Sequence, residues 1–403
     1  MSILGIVVEY NPLHSGHLGH LSKSKEKSGC DTTIAVMSGN FVQRGEPAIW
    51  DKWRRTRMAL EAGVDLVVEL PLYYATGGAE YFARGAVVLL DKTGIVDSLC
   101  FGSEEGSEEG NEEGNEEGGK VWDIEVLKEC ALALLSDDNN NFGNNNFDDN
   151  KIKNNLKKYL GQGLSYPAAR AKALKTIMPD IIMPDTPNNV LGVEYIRALI
   201  KIGSKIVPYT VPRSPGSAME VRSAIKSPDV RAFLDERTSP DDYADLDNLS
   251  SIFHYILRTQ SNLQDYMDVS EGLESRLIKC SRGCKLISEV ISASKTKCYT
   301  YLRIQRTILH IILGITKKNM GYYEANGGPQ YIRVLGFRKD RAYLLRMIKE
   351  KGTLPLVMNI KDTQLNILGR RMLEEETRSA KVYSLAYGGH VYFNEYCMPV
   401  VVM

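Results

Sequence analysis

The chain is 403 residues long, 43% hydrophobic and 25% charged, enough for two domains with proper cores and ordinary for a globular protein. No apolar run approaches the roughly 20 residues of a membrane-spanning helix, and the first residues enter a strand without a basic leader. Seven scattered cysteines, with Cys280 and Cys284 the only close pair, predict free thiols in a reducing cytoplasm rather than a disulfide or zinc framework.

Net charge is zero, yet 22 Lys and Arg face 9 Asp and Glu between Arg276 and Met403, while eight glutamates crowd between Glu104 and Glu117. A basic C-terminal part on a neutral chain predicts a polyanionic partner.

Ile3 to Glu9 is a short apolar run expected to be a buried parallel strand. It leads through a Pro-containing turn into His14-Ser-Gly16-His17 and a polar, Lys-rich helix to about Ser28. Residues three apart share a helix face, so both histidines are expected to point together from the first turn. There the unpaired N–H groups and the positive end of the dipole suit a phosphate. Thr33 to Met37 reads as a second strand ending in Ser38-Gly39-Asn40, and Trp50 to Ala62 as a helix closed by Gly63. Asp65 to Leu70 and Val96 to Phe101 read as third and fourth strands with a helix, Ala79 to Leu90, between them. This alternation predicts an α/β fold with a doubly wound, Rossmann-like parallel sheet. Ligands in such sheets lie beyond the C-terminal strand ends, where His14, Ser38, Leu70 and Gly102 fall.

Four [Ser/Asn]-Glu-Glu-Gly units near 103–119 and an Asn/Asp tract near 136–150 have too few apolar residues to offset ordering entropy, and are expected to be surface inserts. Helices follow at Tyr159 to Leu174 and after Pro187, with a closing strand at Ile206 to Val211 and a short helix from Ser217. Past Pro228 the alternation stops and amphipathic helical patterns cover Leu249 to Leu263, Ser270 to Ser292 and Lys297 to Gly314. The expectation is a doubly wound α/β domain with a phosphate site over 1–235 and a mainly helical, basic domain over 236–403, divided near 229–245.

Taken in order, these blocks resemble one family, the bacterial tRNA(Met) cytidine acetate ligases of the HIGH-type nucleotidyltransferase superfamily. The resemblance runs from Gly5-Ile-Val-Val-Glu-Tyr-Asn-Pro-Leu-His-Ser-Gly-His through Met37-Ser-Gly-Asn-Phe-Val-Gln-Arg44-Gly-Glu-Pro and Lys52-Trp-Arg-Arg-Thr. It continues in Asp65-Leu-Val-Val-Glu-Leu-Pro71, Phe101-Gly-Ser-Glu, Gly163-Leu-Ser-Tyr-Pro, Pro187-Asn-Asn-Val-Leu-Gly, Tyr331-Ile-Arg-Val-Leu-Gly-Phe337 and Leu354-Pro-Leu-Val. It implies that ATP and acetate form acetyl-adenylate, and that the acetyl group passes to N4 of the wobble cytidine of elongator tRNA(Met). It also implies an ATP site made of Val7, Val8, Glu9, Tyr10, Asn11, Pro12, Leu13, His14, Ser15, Gly16, His17, Leu18, Gly19 and His20, with Gly102, Asn188, Arg213 and Arg222. Two departures stand out: Met219 replaces the usual threonine of the Ser217 to Arg222 phosphate motif, and the connection from Arg213 to Ser217 is shorter than the family's.

Adenylation requires charge neutralisation at the α-phosphate and alignment of two reactants. His14 and His17 are expected to donate to α- and β-phosphate oxygens. Arg213 and Arg222 suit the β- and γ-phosphates because a guanidinium binds phosphate bidentately. Mg²⁺ is expected on the phosphates rather than in a protein cage. Gln43, Arg44 and Lys52 are candidates for acetate or acyl-phosphate contact, with Lys52 placed beside the two histidines as catalytic. Arg333, Arg338, Lys339 and Arg341 are the candidate tRNA contacts, although Arg333, in an apolar strand-like run, also reads as a buried ion-pair partner. Two rival functions remain open at this point: a small-molecule adenylyltransferase of the same fold, and a non-catalytic RNA-binding protein.

Overall fold

Apolar runs rich in Val, Ile and Leu become the strands of one sheet. In the computed structural model, the described residues are 2–104, 122–138, 149–162, 164, 166–177, 183–184, 186–213, 218–226, 243–270, 272–361, 363–387 and 391–403. The Glu-rich repeat beyond Glu104, the centre of the Asn/Asp tract, Ser217 and most of the expected domain boundary lie outside them, as does the side chain of Met219.

The strands are β1 (Ile3–Val8), β2 (Thr32–Ser38), a small antiparallel hairpin of β3 (Phe41–Val42) and β4 (Glu46–Pro47), β5 (Leu66–Leu70), β6 (Ser98–Ser103) and β7 (Val207–Pro212). They continue with β8 (Ile332–Phe337), β9 (Leu356–Val357) and β10 (Val401–Val402). The main sheet runs β10-β8-β5-β2-β1-β6-β7, with β9 also paired to β8. Strands β5, β2, β1, β6 and β7 are mutually parallel, with Val8 beside Met37, Ser38 beside Leu70 and Gly102 beside Val211. Their C-terminal ends therefore form one edge of the sheet.

The pleat sorts side chains into two cores, as period-two alternation requires. Leu4, Ile6, Val8, Ala35, Met37 and Val67 pack on one face with Leu21 and Trp53, from helices α1 (Ser15–Ser28) and α2 (Lys52–Glu61). Ile3, Ile34, Val36 and Val68 pack on the other, against α3 (Leu72–Ala75), α4 (Ala79–Lys92) and the helix Pro187–Ile202. Each such aliphatic side chain contributes roughly 1.5–3 kcal/mol by leaving water. No helix among the described residues is long and apolar enough to cross a membrane.

The C-terminal part departs from expectation. Helices do fill Ser250–Thr259, Leu273–Ser281, Ile287–Ser294, Tyr301–Leu313 and Lys317–Ala325. The segment then returns to the first sheet: β8 pairs antiparallel to β5, with Glu69 opposite Arg333 and Leu66 opposite Phe337, and β9 and β10 pair parallel to β8. The mainly helical second domain is thus not separate from the nucleotide-type sheet but completes it. The reason is the run Ile332 to Leu335, buried on both faces, which covers the otherwise open edge of β5.

The β3–β4 hairpin fastens the helical part to the sheet. At its tip Gly45 has φ +83, and a Cβ there would come 2.5 Å from the Arg306 backbone of the helix Tyr301–Leu313. Gly45→Ala meets both a left-handed backbone penalty and a steric clash. It is expected to destabilise the protein by about 2 kcal/mol or more, read as a lower urea midpoint at unchanged slope.

Candidate active site

At the end of β1 the chain turns sharply through Tyr10, whose φ of 46 lies in the left-handed region. The turn is pinned from several sides. Asn11 Oδ1 accepts the Ile49 N–H at 2.7 Å and Arg222 Nη1 donates to the Asn11 carbonyl at 2.7 Å. The fully buried guanidinium of Arg55 donates to the carbonyls of Glu9 (2.6 Å), Ser38 (3.1 Å), Trp50 (2.9 Å) and Gly39. These bonds hold the ends of β1 and β2 together under the opening of α1.

The histidines cap that helix. His14 is the N-cap, and its Nδ1 accepts the Gly16 N–H at 3.1 Å. Reciprocally, His17 Nδ1 accepts the His14 N–H at 3.3 Å. A nitrogen that accepts carries no proton, so each neutral ring is protonated at Nε2. The rings lie 3.8 Å apart, centre to centre. Burial, then the charges of Arg213 and Arg222, hold His14 below its ordinary value. Burial, then His14, His20 and Arg213, bring His17 down to about 3. The result is two neutral Nε2–H donors at the positive end of a helix dipole, a fixed site for negative charge.

Opposite them, at the ends of β6 and β7, Glu104 Oε1 accepts from Asn188 Nδ2 at 2.9 Å and from Arg213 Nη1 at 2.6 Å. Buried Asn189 clamps the Glu104 backbone through both its N–H (3.0 Å) and its carbonyl (2.8 Å). Together these elements enclose a cavity of about 460 Å³, the size of a nucleotide-type ligand site.

Of the expected nucleotide positions, the structure brings Val7, Val8, Glu9, Tyr10, Asn11, His14, Gly16, His17, His20, Gly102, Asn188, Arg213 and Arg222 to this cavity. Pro12, Leu13, Ser15, Leu18 and Gly19 belong to the same turn and helix but do not line it. Gln43 and Arg44 do line it. Sequence reasoning missed Phe82, Phe101, Glu104, Pro187, Leu191 and Tyr195. Phe101, Glu104, Pro187 and Leu191 stood inside or beside the recognised blocks, a signal that was available. Phe82, on the apolar face of α4, gave none.

The chain matches the model of the HIGH Nucleotidyl Transferase family over residues 1–113 and 142–396. It is 38% identical to the tRNA(Met) cytidine acetate ligase of Thermoanaerobacter sp. strain X514, with 96% of each chain covered. It is 39% identical to that of Caldanaerobacter subterraneus subsp. tengcongensis over the same shares. The chain belongs to the tRNA(Met) cytidine acetate ligase family.

The fold agrees with that membership. The crystal structure of Thermotoga maritima TmcAL bound with alpha-thio ATP is similar, with a TM-score of 0.85 and 30% identity, covering 100% of this chain and 99% of that one. The apo form of the same protein gives the same score.

Two expected roles are corrected by the geometry. Lys52 is fully buried, does not line the cavity, and is ion-paired to Glu69 (2.6 Å) and Glu395 (3.0 Å). A lysine so enclosed offers no ammonium to a substrate, so it is structural rather than catalytic. Arg333, 3% exposed, pairs with the same carboxylates, Glu69 at 3.0 Å and Glu395 at 2.5 Å. It is the buried ion-pair partner and not an RNA contact. Arg338, Lys339 and Arg341 remain on the surface, with Arg341 3.2 Å and Arg338 4.0 Å from Asp65. Because β8 runs antiparallel to β5, they sit at the opposite end of the sheet from the cavity.

Proposed function

We propose that this chain is an ATP-dependent tRNA cytidine acetate ligase. It condenses acetate with ATP to acetyl-adenylate, releasing pyrophosphate, and passes the acetyl group to N4 of the wobble cytidine of elongator tRNA(Met) in the cytoplasm. The observation that carries this reading is the pair of neutral Nε2–H donors of His14 and His17 facing one cavity with Arg213 and Arg222. Neutral donors suit the α-phosphate, where charge is redistributed rather than merely bound. The guanidiniums suit the β- and γ-phosphates, where charge accumulates as pyrophosphate leaves.

Mg²⁺ would arrive on the triphosphate and neutralise part of its charge. Mg²⁺ favours substrate oxygens over a dedicated protein cage, so phosphate oxygens would hold it. A single cytosine in an anticodon loop can be splayed out and presented by its Watson–Crick edge. Surface basic residues, Arg338, Lys339 and Arg341 among them, would hold phosphates elsewhere on the tRNA.

Glu104 occupies with a carboxylate the place where Asn188 and Arg213 would meet the nucleotide. Glu104→Gln removes that competing charge while keeping an acceptor for Asn188. Its Kd for ATP, by calorimetry, is expected to fall about three- to tenfold, equivalent to about 0.7–1.4 kcal/mol, because solvent screens the half-exposed Arg213 of that ion pair.

The reading is tested by acetate-dependent ATP–pyrophosphate exchange run beside transfer of labelled acetate to total tRNA. Exchange with label recovered as N4-acetylcytidine in tRNA(Met) supports it. Exchange without transfer points to a small-molecule acceptor, and tRNA binding without exchange points to a non-catalytic RNA-binding protein.

A further inference from the structure

Acetyl transfer has a proton to dispose of. The exocyclic amine of cytosine is a poor nucleophile, because its lone pair is delocalised into the ring. As the N4–C bond forms and the acyl C–O bond to AMP breaks, one N4 proton must leave, and AMP departs as the leaving group. A base at the site raises the rate of such a step by about 10²–10⁴.

Most titratable groups lining the cavity are unable to take that proton. His14 and His17 accept backbone N–H groups at Nδ1 and so already carry a proton on Nε2, the nitrogen left for a substrate. His20 turns Nε2 to the Ser24 hydroxyl at 3.5 Å, and burial brings it down to about 4. Burial pushes the phenols of Tyr10 and Tyr195 up, which keeps them protonated. The arginines do not give up their protons. Glu104 is engaged by Arg213 and Asn188.

Glu9 differs from all of these. It lines the cavity at the C-terminal end of β1. Its Oε1 accepts the Gln43 N–H at 2.7 Å and lies 3.4 Å from the Ser38 hydroxyl, which fixes the carboxyl plane. Its Oε2 has no hydrogen-bond partner among the described residues. We propose that Glu9 is the proton acceptor for the cytidine amine during acetyl transfer, with Oε2 taking the N4 proton. This rests on the ligase reading above and assigns a residue to its second half-reaction.

The environment favours the role. Burial is the largest influence on the Glu9 carboxyl and raises it, Glu46 raises it further, and the Gln43 N–H, Arg55 and Arg44 lower it, for a net rise above the ordinary carboxylate value. A carboxylate of raised basicity is a better base near neutral pH. Tyr195, the remaining titratable neighbour, stays neutral.

The test is Glu9→Gln in the full-length protein, whose amide oxygen still accepts the Gln43 N–H. Acetate-dependent exchange and single-turnover acetyl transfer to tRNA are measured on the same preparation across pH. The expected result is a loss at least tenfold greater in transfer than in exchange, with the acidic limb of the transfer profile absent. Glu9→Asp, which retains a carboxylate, is expected to recover part of the transfer rate. Parallel loss of exchange and transfer, or transfer as fast as in the unaltered protein, overturns the proposal. Failure of the unaltered protein to acetylate tRNA overturns the ligase reading and this proposal with it.

Discussion

Alanine at His17 should reduce acetate-dependent ATP–pyrophosphate exchange by about 10²–10³, the cost of removing one preorganised donor from a site of developing charge. Binding of tRNA, measured by filter retention, should stay within about twofold, since tRNA phosphate contacts are spread over many surface cations. The substitution also deletes half of a helix cap, because His17 Nδ1 accepts the His14 N–H, at a cost of about 1 kcal/mol in stability. His17→Asn separates the two effects. Its Oδ1 replaces Nδ1 as the acceptor, while its short amide does not reach the phosphate. Stability should recover and exchange should not; recovery of exchange would make capping, not donation, the function of His17.

The same geometry sets a pH dependence. Buried His17 takes up a proton only near pH 3, whereas an unfolded histidine does so near 6.5. Between those values the unfolded chain binds more protons, so stability falls as pH drops below about 6.5. His17 itself remains a neutral donor over the range in which exchange would be assayed.

The second large effect is expected at the buried charge cluster. Lys52 and Arg333 form four ion pairs with Glu69 and Glu395, all at side-chain exposures of 3% or less. Burial and the Glu69 charge raise the neighbouring Glu376 carboxyl and favour its neutral form, while the two cations balance the charges of Glu69 and Glu395. Arg333→Met leaves two buried carboxylates facing one ammonium. The expected loss is about 3–5 kcal/mol, measured by urea denaturation. An apolar replacement of all four residues together should be far milder, since it strands no charge. If Arg333→Met left stability intact while weakening tRNA binding, the buried-partner assignment would be wrong.

The cluster also shows where sequence reasoning reaches its limit. The core strands were legible because each is a local apolar run, and the capping histidines because their spacing is local. The pairing of Lys52 with Glu69 and Glu395 was not, since the partners lie 17 and 343 positions away in the chain. A lone basic residue in a recognised block looks catalytic until its counter-charges appear. Part of the basic excess after Arg276 is likewise held by contacts within the chain: Arg333 in the buried cluster, Lys317 on the Gln264 and Val269 carbonyls, Arg378 on the Leu313 carbonyl. The pairing of β8 with β5 escaped for a related reason. A six-residue apolar run after five helices announces no partner, and its partner β5 was written some 260 residues earlier.

That separation has a consequence during synthesis. When β5 leaves the ribosome, the strand that covers its edge does not yet exist. At 5–20 residues per second, roughly 13–50 s pass before β8 is made. For that interval the half of the protein bearing His14 and His17 carries an open, apolar sheet edge, the kind of surface that chaperones hold and that neighbouring nascent chains join. The catalytic fold is therefore sealed only after almost the whole chain has been translated, and a ribosome that stalls early releases an unfinished sheet rather than a free-standing nucleotide domain.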